Sequence, residues 1–276
     1  MTVARRGLMA GLASLLGACS PVAILNKTVP NRGYILEADI PYGPQQRQKL
    51  DLYRPKQPRA DGKTVVFFYG GSWDHGEKAD YLFVAQALAS RGIAVVVPDY
   101  RLYPEVRFPA FIEDGALAVR WAADRIGTDK IFLMGHSAGA EIASMLAANT
   151  PYLGAAGVER MKLRGFIGLS GPYDFLPLTS AKLIDIFGGA NNPAIQAITF
   201  ATPPLPPALL LHGTSDTTVY PRNSERLVQA WRSAGAPAEM MIYRSVGHID
   251  LVAAFADVLH IRASTREDVV AWIDRH

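Results

Sequence analysis

A serine stands between small residues in Gly135-His136-Ser137-Ala138-Gly139, after the apolar run KIFLM and before the alanine-rich run AEIASMLAA. This order predicts a strand, a sharp turn and a helix, with the serine exposed on the turn. Glycines on both sides leave room for a strained backbone. The pentapeptide alone is a weak signal, and the alternative is a serine that caps a helix. Ser137 is the candidate nucleophile, provided that the chain supplies a base.

A serine hydroxyl attacks a carbonyl at neutral pH only when a neighbouring base takes its proton. His248 follows the β-rich run Glu239–Arg244 in the segment SVGH, where we expect a flexible loop to bring an imidazole over the sheet edge. His248 is therefore the predicted general base. The other histidines have plainer interpretations: we expect His136 to point away from the serine, His212 to be partly buried and satisfied, His75 to line a pocket, and His260 and His276 to face solvent.

The imidazole needs a carboxylate at its second nitrogen, which holds the correct tautomer and stabilises the protonated form. Asp216, in the turn His212-Gly213-Thr214-Ser215-Asp216 after the apolar run ALLL, is the predicted acid. Asp174 also follows a predicted strand and is the rival, whereas Asp250 lies too close to His248 along the chain. Along the chain the three residues then occur in the order serine, aspartate, histidine. This is the order found in enzymes whose nucleophilic serine lies on such a turn between a strand and a helix.

Negative charge that develops on a carbonyl oxygen during acyl transfer is stabilised by fixed backbone N–H groups. The segment Tyr69-Gly70-Gly71-Ser72-Trp73 follows the apolar run VVFF, and its glycines allow the backbone to approach a substrate closely. Gly70, Gly71 and Ala138, the residue after the serine, are the predicted oxyanion-hole donors. The alternative is a glycine turn without a catalytic role.

Runs typical of strands alternate with helical patterns, which predicts an α/β domain. Its central runs, VVFFY, IAVVV, KIFLM and ALLLH, are apolar without alternation, as in parallel strands covered on both faces by helices. The segment from Phe175 to Pro207 is rich in glycine and proline and is expected to be irregular and to line a pocket. The predicted strands are Tyr34–Asp39, Lys49–Tyr53, Thr64–Tyr69, Ile93–Val97, Lys130–Met134, Gly165–Leu169, Ala208–His212 and Glu239–Arg244. The predicted helices are Ala79–Ser90, Phe111–Arg125, Ala138–Ala148, Arg222–Ala234 and a last one ending near Arg275.

The first residues have a targeting pattern, because two arginines precede an apolar run that is too short to span a membrane. This run ends in Leu16-Gly17-Ala18-Cys19, which resembles the lipobox of bacterial lipoproteins, and Cys19 is the single cysteine of the chain. We therefore predict a signal peptide over residues 1–18, cleavage before Cys19 and lipidation of its thiol. Residues 19–33 are then a tether and residues 34–276 the domain. The resemblance implies an exported protein held at the periplasmic side of a bacterial membrane; the alternatives are a soluble periplasmic or secreted protein and a buried N-terminal helix.

The chain has 276 residues, of which 49% are hydrophobic and 19% are charged, enough for one well-buried domain. Its formal charge of +3 falls to +1 when residues 1–18, with two arginines and no acid, are removed. Such a charge gives no reason to expect binding to nucleic acid.

With these motifs, the chain resembles the α/β-hydrolases of the carboxylesterase group related to hormone-sensitive lipase and to the bacterial feruloyl-esterase-like (BD-FAE) proteins, over about residues 45–275. Members carry His-Gly-Gly-Gly, then tryptophan and glycine, then Asp-Tyr-Arg. Here Tyr69 and Ser72 replace the histidine and the third glycine, while Trp73, Gly76 and Asp99-Tyr100-Arg101 match. The predicted strands indicate one eight-stranded, mostly parallel sheet, and the short tether before the first strand favours the members without an N-terminal cap domain. The resemblance implies an α/β-hydrolase fold and a serine hydrolase that uses no metal or organic cofactor.

The predicted function is hydrolysis of a small or short-acyl ester through a covalent acyl-enzyme. The same three residues would also hydrolyse an amide or a formamide, which is the first alternative. A binding lipoprotein that keeps the fold without catalysis is the second. Oligomeric state is left open by the sequence.

Overall fold

The computed structural model describes residues 25–148 and 150–276. The predicted signal peptide and Cys19 lie outside these residues, as does the first part of the tether. Among the residues described, no helix is long and apolar enough to cross a membrane.

One eight-stranded sheet organises the described chain, in the spatial order β1-β2-β4-β3-β5-β6-β7-β8. Strand β1 pairs antiparallel with β2, and β2 pairs antiparallel with β4, whereas all pairs from β4 to β8 are parallel. The strands are β1 (Tyr34–Pro41), β2 (Lys49–Pro55), β3 (Thr64–Phe68), β4 (Ala94–Pro98), β5 (Ile131–His136), β6 (Gly165–Leu169), β7 (Ala208–Gly213) and β8 (Ala238–Tyr243). The predicted eight-stranded, mostly parallel α/β-hydrolase sheet is thereby confirmed.

Every residue of β3, β5, β6 and β7 is buried, which explains why their sequences are mainly apolar instead of alternating. The outer strand β1 is largely exposed and shows no such run. Parallel strands point their carboxyl ends to the same edge, so the turns after β3, β5, β7 and β8 meet there. The predicted catalytic residues all lie in these turns.

The helices connect and cover the strands. The helix after β5 packs on β5 and β6, and the helix after β7 packs on β7 and β8. The helices are α1 (Leu82–Ala89), α2 (Ala110–Ile126), α3 (Ala138–Ala147), α4 (Tyr152–Ala155), α5 (Ala181–Phe187), α6 (Arg222–Ser233), α7 (His248–Ala253) and α8 (Thr265–Arg275).

Two local predictions need correction. The segment from Phe175 to Pro207 is not irregular throughout, because it contains α5 and two short 3₁₀ turns, Pro193–Ile195 and Ala197–Phe200. Ser180 caps α5 by accepting a hydrogen bond from the Leu183 amide. The segment after β8 is also not a flexible loop at its end, since α7 begins at His248.

Candidate active site

Ser137 lies on a sharp turn between β5 and α3, with φ of 54° and ψ of −123°. Non-glycine residues rarely adopt this backbone conformation, and the neighbouring structure has to enforce it. The Ser137 amide donates to the Leu169 carbonyl on β6 at 2.9 Å. A methyl group on Gly139 would collide with the Phe68 carbonyl, and one on Gly135 would collide with the Gly139 carbonyl. The two glycines are therefore required by the close approach of helix and strand.

His248 and Asp216 lie side by side, with His248 Nδ1 2.8 Å from Asp216 Oδ2. Because the carboxylate is an acceptor, Nδ1 carries the proton, and in the neutral form of the ring Nε2 then holds the lone pair. Asp250 fixes the start of α7, since its side chain accepts from the Gly247 amide at 3.2 Å. His248 is thus held as the first residue of a capped helix and not on a mobile loop.

The Asp216 carboxylate is buried and accepts from several donors. The amides of Thr218 and Val219 donate to its Oδ1 at 3.0 and 2.9 Å. His212 Nε2 lies 3.3 Å from its Oδ2 and donates mainly to the Val219 carbonyl, at 2.7 Å. Burial opposes ionisation, but the hydrogen bonds from His212 and His248 hold the pKa of Asp216 far below its ordinary value. The carboxylate therefore stays charged beside His248.

His212 is completely buried, more so than expected, and its Nδ1 accepts from the Ser224 hydroxyl at 2.7 Å. Asp174, the rival acid, instead pairs with Arg226 at 2.5 Å. Of the two candidate acids, the structure places Asp216 next to His248.

His136 does not point away from the site, contrary to the expectation. Its ring centroid lies 4.8 Å from that of His248, and its Nε2 donates to the His248 carbonyl at 3.2 Å. Burial and the neighbouring His248 lower the pKa of His136 to about 3, so the ring is neutral at pH 7. Sequence reasoning missed this contact because it joins residues 112 positions apart.

The glycine loop after β3 has an unusual backbone. Gly71 has φ of +143°, and Ser72 and Trp73 follow with φ of 49° and 61°. The serine that replaces the third glycine of the related proteins thus adopts a left-handed conformation that glycine would adopt without strain. Gly70 and Gly71 line one cavity together with Ser137.

Tyr69, which replaces the histidine of the related proteins, anchors the base of this loop. Its hydroxyl donates to Asp99 at 2.9 Å and accepts from Arg47 at 2.9 Å, while its carbonyl accepts from the Tyr100 hydroxyl at 2.8 Å. Its ring stacks on that of Tyr100 with centroids 4.6 Å apart. These contacts give Asp99 a structural role at the base of the loop.

Glu141 holds the other end of the loop and was missed in the sequence, where a glutamate in a helix suggests exposure. It is completely buried on α3, and its Oε2 accepts from Trp73 Nε1 at 3.2 Å. Its Oε1 has no hydrogen-bond partner among the described residues. Burial raises the pKa of Glu141 well above its usual range, which favours the neutral form of the side chain.

Two cavities flank Ser137. The first, called the His248 cavity, has about 260 Å³ and is lined by Gly70, Gly71, Asp80, His136 and His248. The second, called the Phe175 cavity, has about 270 Å³ and is lined by Ala138, Trp73, Phe175, Leu178 and Leu183. Ser137 borders both cavities, and His75 borders the first, as expected. The predicted pocket-lining role of the segment from Phe175 to Pro207 agrees with the second.

The residues 25–148 and 150–276 contain no group of three or more histidine, cysteine or acidic side chains arranged to hold a metal ion.

The BD-FAE family model matches residues 50–231. A probable isoprenylcysteine alpha-carbonyl methylesterase of Oryza sativa subsp. japonica is 30% identical over 76% of this chain and 57% of its own length. A kynurenine formamidase of Danio rerio is 24% identical over 79% of this chain and 76% of its own length. The chain spans little more than half the length of the plant relatives that it matches.

Among solved structures, a truncated carbohydrate esterase from gut microbiota superposes with a TM-score of 0.75 at 19% identity, covering 89% of this chain and 98% of that one. At this level of identity the match shows a shared fold.

Proposed function

Because the chain belongs to the BD-FAE family of α/β-hydrolases, we propose that it is a serine carboxylesterase whose catalytic residues are Ser137, His248 and Asp216. The observation that carries this proposal is the Asp216 to His248 hydrogen bond, which orients His248 in the wall of the cavity that Ser137 also lines. A serine beside an unprotonated, oriented imidazole is the arrangement that acyl transfer needs.

In the proposed reaction, Ser137 Oγ attacks the ester carbonyl while His248 Nε2 accepts its proton. The carbonyl oxygen becomes an oxyanion, which the amides of Gly70, Gly71 and Ala138 stabilise in this proposal. Each such donor contributes roughly 3 to 4 kcal/mol in hydrolases where it has been measured. His248 then protonates the leaving alcohol, and the acyl group stays on Ser137. Water, deprotonated by the same imidazole, releases the acid and restores the serine.

The two cavities support a small substrate. Each is smaller than the roughly 300 to 1,000 Å³ of pockets that hold drug-sized ligands. The apolar residues of the Phe175 cavity favour a short aliphatic or aromatic acyl group.

Ester hydrolysis is tested with p-nitrophenyl acetate and butyrate. Changing Ser137 to Ala should reduce kcat on the order of 10⁵-fold without loss of the fold, as seen by circular dichroism. Asp216→Asn should reduce kcat by about 10⁴-fold, because an amide favours the wrong histidine tautomer. Asp174→Asn is the matched control and should change kcat little, since Asp174 pairs with Arg226. Equal losses in both aspartate variants would contradict the assignment of the acid.

Hydrolysis of a formamide is the second candidate. The match to the Danio rerio formamidase covers more than three quarters of each of the two chains. The same three catalytic residues would hydrolyse either an ester or a formamide bond. A comparison of kcat/KM for an aryl ester and for the corresponding N-formyl arylamine decides between the two bonds.

A further inference from the structure

The His248 cavity is the side on which a leaving alcohol would lie, if the proposed function holds. His248 has to protonate the leaving oxygen, and it lines this cavity and not the Phe175 cavity. Proton transfer requires donor and acceptor within hydrogen-bond distance. The acyl group then occupies the Phe175 cavity on the other side of Ser137.

The His248 cavity carries a negative charge without a cation to balance it. Asp80, in a 3₁₀ turn before α1, lines the cavity and is partly buried. Among the residues that line this cavity there is no lysine or arginine, and Asp80 forms no ion pair within the part of the chain that the structure describes. The nearby Asp74 differs, because it pairs with Lys182 and His75.

A second group in the same wall is an acceptor. His136 donates through Nε2 to the His248 carbonyl, so its Nδ1 carries a lone pair, and this buried nitrogen has no hydrogen-bond partner among the described residues. Unpaired buried acceptors cost free energy unless a ligand or water satisfies them. Because this nitrogen is buried, it is the partly exposed Asp80 that favours a ligand with positive charge.

We propose that the His248 cavity takes an alcohol that carries a positive charge, with Asp80 as its counter-ion. Asp80 is a specificity-determining residue in this proposal and has no part in bond making. Burial raises the pKa of Asp80 above its ordinary value, and a bound cation would oppose this shift. The assay is run at pH 8, because a higher pH favours the ionised carboxyl.

Acetylcholine and 3,3-dimethylbutyl acetate test the proposal, because the two esters have the same shape and acyl group and differ by one positive charge. For a partly exposed carboxylate a few ångströms from the charge, we expect kcat/KM to favour acetylcholine by about tenfold. Asp80→Asn should bring the ratio close to one. The amide oxygen of asparagine retains an acceptor for the Glu77 backbone, with which Asp80 interacts.

Glu77→Gln is the matched control, since it removes an exposed carboxylate three residues away that does not line the cavity. It should keep the wild-type ratio. A wild-type ratio of one or less, or the same ratio in wild type and Asp80→Asn, would overturn the proposal. Hydrolysis of neither ester above the Ser137→Ala background would instead overturn the proposed esterase function.

A measurement on the wild-type protein alone gives an independent answer. Choline and 3,3-dimethylbutanol should both inhibit hydrolysis of p-nitrophenyl acetate competitively, and choline should have an inhibition constant about tenfold smaller. Equal constants, or a smaller one for the neutral alcohol, would contradict a cation site.

Discussion

His136 should make the stability of this protein depend on pH in a way that a single substitution removes. The ring is 1% exposed and packs against His248, and its pKa is lowered from 6.5 to about 3 by burial and by that neighbour. As the pH falls, the unfolded chain therefore binds a proton on this histidine near pH 6.5, whereas the folded protein binds it only near pH 3. The folded state has its full stability above pH 6.5 and loses it as the pH falls toward 3.

The magnitude follows from the two pKa values. Each pH unit between them costs about 1.4 kcal/mol of the free energy of unfolding. At pH 5.0 the unfolded histidine is almost fully protonated and the folded one is not, which amounts to a loss of about 2 kcal/mol relative to pH 7.5. Such a loss is a sizeable part of the 5 to 15 kcal/mol typical of a whole protein.

Urea titrations of wild type and His136→Gln at pH 7.5 and 5.0 measure this contribution. Glutamine has an N–H that can still reach the His248 carbonyl, but it does not titrate. Between the two pH values, the free energy of unfolding of the variant should fall by about 2 kcal/mol less than that of wild type. His260→Gln, on the surface, should behave as wild type does. Equal pH dependence in wild type and His136→Gln would refute the reasoning, because carboxylates common to both would then explain it all.

Two further predictions concern the supports of the site. Glu141→Gln should retain activity, since the glutamine oxygen still accepts from Trp73, whereas Glu141→Leu should lower kcat about tenfold or more because the glycine loop loses this contact. Kinetics with p-nitrophenyl acetate measure both variants, and equal kcat values for the leucine and glutamine variants would contradict this role of Glu141. Gly139→Ala should lower the free energy of unfolding by about 3 kcal/mol because its methyl group has no room, while Gly154→Ala, with open space on α4, should be neutral or stabilising; urea titration distinguishes them.

The sheet was predictable because burial leaves a direct mark on sequence. Strands β3, β5 and β7 are buried along their whole length, so their apolar runs indicate both that these segments are strands and where they lie in the chain. The meeting of Ser137, Asp216 and His248 follows from the same property, since parallel strands deliver their following turns to one edge. The roles of these residues stay a prediction until activity is measured.

Specific side-chain contacts between residues far apart in the chain could not be predicted from the sequence. Helix α7 has only six residues, too few to show a helical period, so His248 was expected on a loop. The contact of His136 with His248 and the buried, neutral Glu141 depend on how helices pack over the sheet, which local composition does not encode. The ion pair of Asp174 with Arg226 is likewise a contact between residues far apart in the chain.

Covalent labelling tests the central claim most directly. Wild-type protein treated with a fluorophosphonate, digested and analysed by mass spectrometry should carry one adduct on the peptide that contains Ser137, because only a serine activated by a base reacts at neutral pH. Ser137→Ala should take up no label and keep its circular dichroism spectrum. Labelling of the alanine variant to the same extent, or a folded wild type that does not react, would contradict the account.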